Sequence, residues 1–289
     1  MQINTIGVVG AGTMGSGIAQ AAATKGLDVI LIDVNEAAVA KGTGAVESRL
    51  ARLVAKGQMS VPEKAAAVGR IHGATAYADL RPANVIIEAA TEDYDLKAKI
   101  LKQIDQLVSG DAIIASNTSS ISITRLASLI SHPGRFVGMH FFNPVPVMAL
   151  VEIVRGLQTS DATHDAVATL ATRLGKSPIS VKSAPGFVVN RVLLPMINEA
   201  FFVLAEGETS AKEIDEGMKL GCNHPIGPLA LADMIGLDVL LAVMQILHDE
   251  FADSKYRPCL LLKEMVAAGY LGRKSGRGVY SYQQQAGAN

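Results

Sequence analysis

The sequence predicts an α/β fold with a parallel sheet in its first part and an all-helical second part. In the first part, short apolar runs typical of buried strands alternate with segments that carry the apolar period of helices, and this alternation indicates a parallel sheet. The strand-like runs lie at residues 6–9, 29–33, 85–88, 112–115 and 136–140. After residues 183–186 (Ser-Ala-Pro-Gly) such runs stop, and residues 187–205 and 229–247 are patterned as apolar helices. We therefore expect one domain over residues 1–185 and a second over residues 186–289.

Composition limits the possible function classes. The 289 residues suffice for two domains, while the net charge of -1, the absence of tryptophan and the aromatic content of 4% argue against a nucleic-acid partner. No uncharged apolar run reaches the roughly 18 residues of a membrane helix and no basic leader precedes the first strand, so we expect a cytoplasmic protein without a membrane partner. Cys222 and Cys259 are too few for a disulfide framework or a zinc site, and we expect no metal. The polar tail, residues 283–289, is expected to fray.

The first strand runs directly into a glycine motif, Gly10-Ala11-Gly12-Thr13-Met14-Gly15. In a Rossmann-type domain the first glycine allows a tight turn, the second allows the backbone to approach a pyrophosphate, and the third allows the helix to pack closely on the strand. The phosphates then bind the N–H groups at the start of the following helix, near Thr13 and Met14. A structural turn could give the same glycine spacing, so the motif predicts a dinucleotide site only together with the residues that follow it.

Asp33 supplies that context. It closes the second strand-like run, about 20 residues after the glycines, where a carboxylate binds the adenosine ribose hydroxyls and repels a 2′-phosphate. The alternative is that Asp33 caps a helix that begins after Val34-Asn35-Glu36. The ribose interpretation predicts NAD as the cofactor rather than NADP.

A long helical stretch over residues 36–67 divides near residues 57–62, which predicts a helical hairpin inserted in the first domain. The stretch carries five cationic side chains: Lys41, Arg49, Arg52, Lys56 and Lys64. These cations form either a solvated helix face or a binding surface for an anionic substrate that bears phosphate groups.

Polar side chains follow two neighbouring strands. The run Ser116-Asn117-Thr118-Ser119-Ser120 comes directly after one strand, and Met139-His140-Phe141-Phe142-Asn143 ends the next. Ligands of open α/β sheets bind outside the carboxyl ends of the strands, so we expect these side chains to converge at one site, with Asn117 in contact with the cofactor. Taken alone, the first run is also typical of a turn or helix cap.

Glu152 lies in the apolar strand-like run that returns from His140. A carboxylate between Val151 and Ile153 needs a partner, because an unpaired buried charge costs several kcal/mol. His140 is the nearest candidate. Such a pair orients the imidazole and stabilises its protonated form, so that the other ring nitrogen can act as a general base on an alcohol. The alternative is a core histidine bound to a backbone carbonyl.

Six ordered motifs over nearly the whole chain resemble the soluble short-chain L-3-hydroxyacyl-CoA dehydrogenases, and among them most closely the bacterial 3-hydroxybutyryl-CoA enzymes. The motifs are the glycine motif, Ala115-Ser116-Asn117-Thr118-Ser119-Ser120, residues 139–148 (Met-His-Phe-Phe-Asn-Pro-Val-Pro-Val-Met), residues 185–191 (Pro-Gly-Phe-Val-Val-Asn-Arg), residues 221–228 (Gly-Cys-Asn-His-Pro-Ile-Gly-Pro) and residues 271–278 (Leu-Gly-Arg-Lys-Ser-Gly-Arg-Gly). The resemblance implies a Rossmann-type NAD domain followed by an all-helical dimerisation domain, and hence a homodimer that acts on an acyl-CoA thioester.

The resemblance also implies roles for individual residues. His140 matches the catalytic base and Glu152 its orienting partner, while Ser119 and Asn190 match the residues that hold the substrate oxygens. Further NAD contacts match Asp33, Glu92, Lys97, Asn143 and Lys274, and Ser119 touches the cofactor as well as the substrate. Ser48 and Lys56 fall near the coenzyme A contacts of the family. The turn Asn223-His224-Pro225 resembles that of four-carbon enzymes, whereas Cys222 replaces the alanine of many members and has no role that we can assign.

Two other functions are compatible with this architecture. One is a β-hydroxy acid dehydrogenase that does not use coenzyme A and relies on a catalytic lysine in its helical domain, but the region of Asn190 offers Arg191 and no lysine. The other is a non-catalytic relative of the lens crystallins, against which the set of Ser119, His140, Glu152 and Asn190 argues.

Overall fold

The computed structural model describes residues 2–282, and the predicted frayed tail lies outside the described residues. The chain divides into two compact units, the first ending at Ala184 and the second beginning at Pro185.

The first unit is built on one sheet of eight strands with the order β3-β2-β1-β4-β5-β6-β7-β8. Strands β1 to β6 are parallel, β7 is antiparallel to β6, and β8 is parallel to β7. The strands are β1 (Thr5–Val9), β2 (Asp28–Ile32), β3 (Ile71–Ala74), β4 (Val85–Glu88), β5 (Ile113–Ser116), β6 (Phe136–Phe141), β7 (Leu150–Arg155) and β8 (Ser177–Lys182). The predicted Rossmann-type α/β fold is confirmed.

Both edge strands, β3 and β8, lie outside the strand-like runs of the sequence. Strand β3 contains His72 and Gly73 and has no buried residue, so it lacks the apolar run by which the central strands are recognised. Strand β8 contains Pro178 and buries only Val181. Edge strands tolerate proline and polar residues because one side of the strand needs no ladder hydrogen bonds, and this weakens their signal in the sequence.

Six helices flank the sheet of the first unit: α1 (Thr13–Thr24), α2 (Glu36–Ala55), α3 (Val61–Gly69), α4 (Tyr94–Leu107), α5 (Ile123–Ala127) and α6 (Asp161–Arg173). The predicted hairpin is formed by α2 and α3. Gly57, with φ of 68°, ends the first helix, and Ser60 begins the second with a capping box to Glu63. Every residue of β4, β5 and β6 is buried, as expected of parallel strands covered on both faces.

The second unit is helical, as predicted. Its helices are α7 (Val189–Glu206), α8 (Ala211–Gly221), α9 (Pro228–Ile235), α10 (Leu237–Phe251) and α11 (Leu260–Ala267). The apolar run 229–247 forms two helices, because Gly236 adopts φ of 103° and ends α9. The core includes Phe201, Leu229, Leu240 and Met244.

Within residues 2–282, no single helix has the length and hydropathy that a membrane crossing requires, and α9 with α10, bent by 98°, meets that test only as a pair. The same residues contain no group of three or more His, Cys, Asp or Glu that could hold a metal ion. Cys222 is exposed at the end of α8, and Cys259 is buried in the core of the second unit.

Candidate active site

The three glycines of the loop between β1 and α1 differ in what surrounds them. A Cβ on Gly10, whose φ is 102°, would lie 2.7 Å from the carbonyl oxygen of Ala89, and a Cβ on Gly15 would overlap the carbonyl oxygen of Gly10. A Cβ on Gly12 would meet no protein atom within 4 Å. The protein's own packing therefore requires glycine at the first and third positions, whereas at Gly12 the missing side chain leaves open space beside the backbone.

Helix α1 begins in this loop without a side-chain cap. Gly12 is the N-cap residue, the first turn contains no acidic side chain, and no side chain accepts a hydrogen bond from the first N–H groups. The first four N–H groups of a helix lack partners inside the helix, and the helix dipole favours negative charge there. The start of α1 at Thr13 and Met14 therefore offers donors that suit a phosphate.

Asp33 lies beside the glycine loop, immediately after β2. Its Oδ2 accepts a hydrogen bond of 2.7 Å from the Ala11 N–H, and its Oδ1 accepts one of 2.7 Å from the Val34 N–H. Each carboxylate oxygen can accept a further bond, so the group can still bind ribose hydroxyls. The helix-cap alternative is wrong, because α2 is capped by Asn35, whose Oδ1 accepts from the Ala38 N–H at 2.9 Å.

A buried ion pair lies at the carboxyl end of β4, where Lys97 binds Glu88. The Lys97 Nζ is 2.8 Å from Oε1 and 3.0 Å from Oε2 of Glu88, and it also donates to the Ala90 carbonyl at 3.2 Å. The second carboxylate near this ammonium is that of Glu92, at 3.6 Å. Glu88 was not predicted as a site residue, although an acid that ends the apolar run Val85–Glu88 nine residues before a lysine is a usable signal.

Glu92 organises the polar loop after β5. Its Oε1 accepts hydrogen bonds from the Thr118 hydroxyl at 2.6 Å, from the backbone N–H groups of Ser119 (2.8 Å) and Ser120 (3.0 Å), and from the Ser119 and Ser120 hydroxyls at 3.2 and 3.0 Å. Burial alone would raise the pKa of Glu92, but the Lys97 ammonium and these donors outweigh it and lower the pKa below its usual value. Glu92 is therefore ionised at neutral pH.

The alternative interpretation of the polar run after β5, that it forms a turn and a helix cap, also agrees with part of the structure. The Thr118 hydroxyl oxygen accepts from the Ile121 N–H at 2.9 Å, and the Ser122 hydroxyl caps α5 through the Arg125 N–H at 3.2 Å. Local turn bonds and the bonds to Glu92 coexist, because the Thr118 hydroxyl donates its hydrogen to Glu92 while its oxygen accepts from the Ile121 N–H. The loop is thus held both by its own turn and by a carboxylate from the neighbouring strand connection.

His140 and Glu152 form a buried pair. In the antiparallel ladder of β6 and β7 the two residues are direct partners, and the His140 Nδ1 lies 2.7 Å from the Glu152 Oε2. His140 is 6% exposed and Glu152 is fully buried, so little water competes for this contact. The Phe142 ring lies against the imidazole, with ring centroids 4.6 Å apart. The Nδ1 atom is thus oriented by a carboxylate rather than by the backbone carbonyl that the alternative required.

Other contacts hold the ends of the strands that carry this pair. The Asn117 Oδ1 accepts from the Phe141 N–H at 2.9 Å, which joins the end of β5 to the end of β6. Asn143 is exposed in the loop after β6. The buried Lys176 ammonium donates to the carbonyls of Val145 and Met148 and so fixes that loop.

The cations of the α2–α3 hairpin have different environments. Arg49 packs on α1, where its Nε donates to the Gln20 Oε1 at 2.7 Å and its Nη2 donates to the Ser16 hydroxyl at 3.1 Å. Burial, and then the nearby Arg52, lower the pKa of Arg49. Ser48 and Lys56 are exposed on α2 and at its end. A wholly solvated cationic face is therefore excluded for Arg49, whereas the positions of Ser48 and Lys56 suit a ligand at the surface.

Three of the predicted site residues belong to the second unit. Asn190 lies in the first turn of α7, and Asn223 is exposed after α8 with φ of 55°. The Lys274 Nζ binds the Asp238 carboxylate at 2.6 Å and lines a cavity of about 1150 Å³ formed by residues 261–282. The first unit thus brings Ser119 together with Glu92 and Lys97, and His140 together with Glu152, while Asn190, Asn223 and Lys274 are held by the helical unit.

Comparison with known proteins decides the family. Residues 5–184 match the 3-hydroxyacyl-CoA dehydrogenase NAD binding domain, and residues 186–282 match the 3-hydroxyacyl-CoA dehydrogenase C-terminal domain. The chain belongs to the 3-hydroxyacyl-CoA dehydrogenase family. The two matches together span almost the entire described chain.

Individual members of the family are highly similar to this chain. The crystal structure of (S)-3-hydroxybutyryl-CoA dehydrogenase from Ralstonia eutropha is 66% identical with a TM-score of 0.96, and the match covers 98% of this chain and 100% of that one. A probable 3-hydroxybutyryl-CoA dehydrogenase of Deinococcus radiodurans is 50% identical over 96% of this chain and 99% of its own length. The 3-hydroxybutyryl-CoA dehydrogenase of Bradyrhizobium diazoefficiens is 49% identical over 97% and 96%.

The residues of the first unit fit the NAD that this family uses. The open space beside Gly12, the uncapped start of α1 and the carboxylate of Asp33 provide, in chain order, room for a pyrophosphate, donors for its charge and acceptors for ribose hydroxyls. The side chain of Val34, which follows Asp33 and is 84% exposed, carries no donor for a 2′-phosphate. The predicted NAD dependence is therefore consistent with both the family and the local chemistry, and the chain is an NAD-dependent oxidoreductase.

Proposed function

We propose that the protein is a 3-hydroxybutyryl-CoA dehydrogenase, which reversibly transfers hydride between (S)-3-hydroxybutyryl-CoA and NAD and forms acetoacetyl-CoA. The observation that carries the proposal is the buried His140–Glu152 pair, with 2.7 Å between Nδ1 and Oε2, in a chain of this family. A histidine oriented by a carboxylate is the group that removal of an alcohol proton requires.

His140 is the proposed general base. Because Nδ1 is bound to Glu152, Nε2 is the atom that takes the proton of the substrate hydroxyl during oxidation and returns it during reduction. The Glu152 carboxylate stabilises the positive charge that the imidazole gains in this step. Burial of both groups strengthens that stabilisation, since less water screens the charges.

Ser119 and Asn190 are the proposed substrate contacts. Ser119 would bind the 3-hydroxyl or 3-keto oxygen together with His140, and Asn190 would hold the thioester carbonyl, so that the reacting carbon stays within transfer distance. NAD, when bound, supplies the hydride acceptor. The residues proposed to hold it are Gly10, Gly12, Thr13, Met14, Gly15, Asp33, Glu92, Lys97, Asn117, Asn143 and Lys274.

A four-carbon substrate is the proposed preference. The turn that contains Asn223 resembles that of four-carbon enzymes, and Ser48 and Lys56 on the exposed side of α2 are the proposed contacts of coenzyme A. The names of the similar proteins from Ralstonia, Deinococcus and Bradyrhizobium support the same substrate.

A steady-state assay tests the proposal. Purified protein should reduce acetoacetyl-CoA with NADH as the hydride donor. Its kcat/KM should be higher for acetoacetyl-CoA than for longer 3-ketoacyl-CoA substrates, and higher with NADH than with NADPH. Replacement of His140 by Ala should reduce turnover by about 10²- to 10⁴-fold, the usual contribution of a general base. Absence of acetoacetyl-CoA reduction by the folded wild-type protein would refute the function, and near wild-type turnover of His140→Ala would refute the assignment of the base.

We also propose a cytoplasmic homodimer that associates through the helical unit. Large apolar side chains exposed on that unit support this arrangement: Val192 is 69% exposed, Leu260 68%, Met234 50% and Val239 45%. Light scattering coupled to size-exclusion chromatography measures the mass directly. Replacement of Val192 and Leu260 by Asp should yield monomers, and a monomeric wild type would contradict the proposal.

A further inference from the structure

Glu88 has no role in the proposed reaction, yet both oxygens of its carboxylate accept hydrogen bonds. It is fully buried at the end of β4. Its Oε1 accepts from the Ala90 N–H at 2.7 Å and from the Lys97 ammonium at 2.8 Å, and its Oε2 accepts from the Ser116 hydroxyl at 2.6 Å and from Lys97 at 3.0 Å. Glu88 therefore connects the end of β4, the helix α4 and the end of β5.

Two carboxylates compete for one buried ammonium. Lys97 is 1% exposed, and it lies at bonding distance from both oxygens of Glu88 but 3.6 Å from Glu92. Loss of one member of a buried ion pair leaves the other charge uncompensated. The remaining charge is then stabilised by a closer approach of the nearest group of opposite charge. Without the charge of Glu88, that group is Glu92.

The Glu92 Oε2 is the atom that lies 3.6 Å from the Lys97 Nζ, and because it belongs to the same rigid carboxylate as Oε1, a closer approach to Lys97 displaces Oε1 as well. The Glu92 Oε1 accepts five donors from Thr118, Ser119 and Ser120, all in the loop that carries the proposed substrate contact. Movement of the carboxylate toward Lys97 would lengthen these bonds. Because Glu88 neutralises the ammonium, Glu92 can remain with the loop.

The lengths of these five bonds show how the loop can be fixed while one hydroxyl remains able to change its hydrogen-bond acceptor. The Ser119 hydroxyl is the most distant donor, at 3.2 Å, whereas the Ser119 N–H is at 2.8 Å and the Thr118 hydroxyl at 2.6 Å. The backbone is thus held more tightly than the hydroxyl. Rotation of that hydroxyl from Glu92 to a substrate oxygen breaks the longest of the five bonds and leaves the other four in place.

We infer that Glu88 is a positioning residue of this enzyme, which acts through Lys97 and Glu92 to hold Ser119 where it can bind the substrate oxygen. The inference rests on the proposed function for the role of Ser119. It assigns to Glu88 no contact with substrate or cofactor. Since Glu92 and Lys97 are also proposed cofactor contacts, the affinity for NADH reports on the same network without turnover.

The decisive variant is Glu88→Gln, which keeps the shape of the side chain and removes its charge. We expect kcat/KM for acetoacetyl-CoA to fall between about ten- and a hundredfold, the scale of a misplacement of about 1 Å near a reacting group. We also expect the dissociation constant for NADH to rise several-fold. Conservative restoration of the charge by Glu88→Asp should recover part of both losses.

A double-mutant cycle tests the route through Lys97. If Glu88 acts by neutralising Lys97, the losses of Glu88→Gln and Lys97→Met will not multiply, and the double variant will be no worse than the more impaired single variant. Multiplicative losses would show independent action and overturn the inference. If Glu88→Gln does not fold by itself, the double variant Glu88→Gln/Lys97→Met, which removes both charges of the pair, is compared with Lys97→Met alone. Equal kcat/KM and NADH affinity would support the route through Lys97, and a further loss in the double variant would overturn it.

Asp105→Asn is the matched control. Asp105, near the end of α4, binds Arg135 at 2.7 Å in another largely buried ion pair of the first unit. Arg135 directly precedes β6, whereas His140 lies near the end of that strand. This variant should lose thermal stability but keep kcat/KM and the affinity for NADH. Equal functional losses in both variants, or wild-type kcat/KM in Glu88→Gln, would overturn the inference. Failure of the wild type to reduce acetoacetyl-CoA would instead refute the proposed function, and the NADH affinities would still test the network.

Discussion

Replacement of Glu152 by Gln tests whether the Glu152 carboxylate stabilises the charge that His140 gains in the proposed proton transfer. Gln keeps the size of the side chain, and its carbonyl oxygen can still accept a hydrogen bond from the His140 Nδ1. The variant therefore removes the negative charge and retains most of the geometry. Because Glu152 is fully buried and its Oε2 lies 2.7 Å from Nδ1, the lost charge is one that water does not replace.

The expected loss of activity follows from the charge separation. At about 4 Å between charge centres and an effective dielectric constant of about 20, opposite unit charges attract by about 4 kcal/mol. If the imidazole carries about half of its final charge in the transition state, about 2 kcal/mol of stabilisation is lost, and a full charge would raise the loss to about 4 kcal/mol. Since each 1.36 kcal/mol is tenfold in rate, we expect kcat to fall by about 30-fold to 10³-fold.

The assay is the initial rate of NADH formation with saturating (S)-3-hydroxybutyryl-CoA and NAD, compared between wild type and Glu152→Gln, because the imidazole gains its positive charge in the direction of oxidation. Thermal unfolding should confirm that the variant is folded at the assay temperature. The same substitution in the His140→Ala background should cost almost nothing more, because a charge that acts through His140 has no function once the imidazole is absent.

Two results would refute this reasoning. The first is a folded Glu152→Gln variant whose kcat lies within a factor of two of wild type. The second is a further large loss when Glu152→Gln is added to His140→Ala, which would mean that Glu152 acts on something other than the imidazole.

Three further predictions follow from the first unit. Gly12→Ala should keep the wild-type melting temperature, because the added Cβ meets no protein atom, but it should lose most of the NADH affinity, because the Cβ occupies the space proposed for the pyrophosphate. Gly15→Ala should unfold at a lower temperature, since its Cβ overlaps the Gly10 carbonyl. Thermal melts and NADH titrations compare the two variants, and equal NADH affinity of Gly12→Ala and wild type would contradict this prediction. Asp33→Gly should raise the ratio of NADPH to NADH kcat/KM by tenfold or more, about 1.4 kcal/mol, and an unchanged ratio would argue against Asp33 as the ribose ligand. Lys176→Met should lower the free energy of unfolding by about 1–3 kcal/mol in urea titrations, because two carbonyls lose a buried donor, and no change would mean that water replaces the ammonium.

Much of the fold could be predicted because its signals are local. The central strands are continuous apolar runs, since both faces of a parallel sheet are covered, and the hairpin of α2 and α3 is visible as helical periodicity interrupted by Gly57. Strand β8 escaped prediction because an edge strand with Pro178 has no such run. The break at Gly236 was missed because the apolar period continues across it while the backbone does not.

The proposed site could be predicted only in part. The residue types at the strand ends indicated Ser119 and His140, because parallel strands bring their carboxyl ends to one edge. Asn117 was expected to bind the cofactor, and its side chain also joins β5 to β6 through the Phe141 N–H. The network of Glu88 was not foreseen, because its members come from β4, α4 and β5 and have no common spacing in the sequence.

By itself, the sequence determined the glycine loop after β1, the central strands of the sheet, the helical character of the second unit and, through its motifs, the family. These depend on residue identity and on neighbours within a few positions, such as the glycines after β1 and the acid after β2. Only the tertiary structure decided which side chains are partners. The ladder register sets His140 opposite Glu152, and the position of α4 beside the end of β4 brings Lys97 to Glu88, while Glu92 binds the loop of Ser119. The physical reason is that contacts between distant residues depend on strand register and on competition among buried charges, and neither can be predicted from the spacing of residues in the sequence.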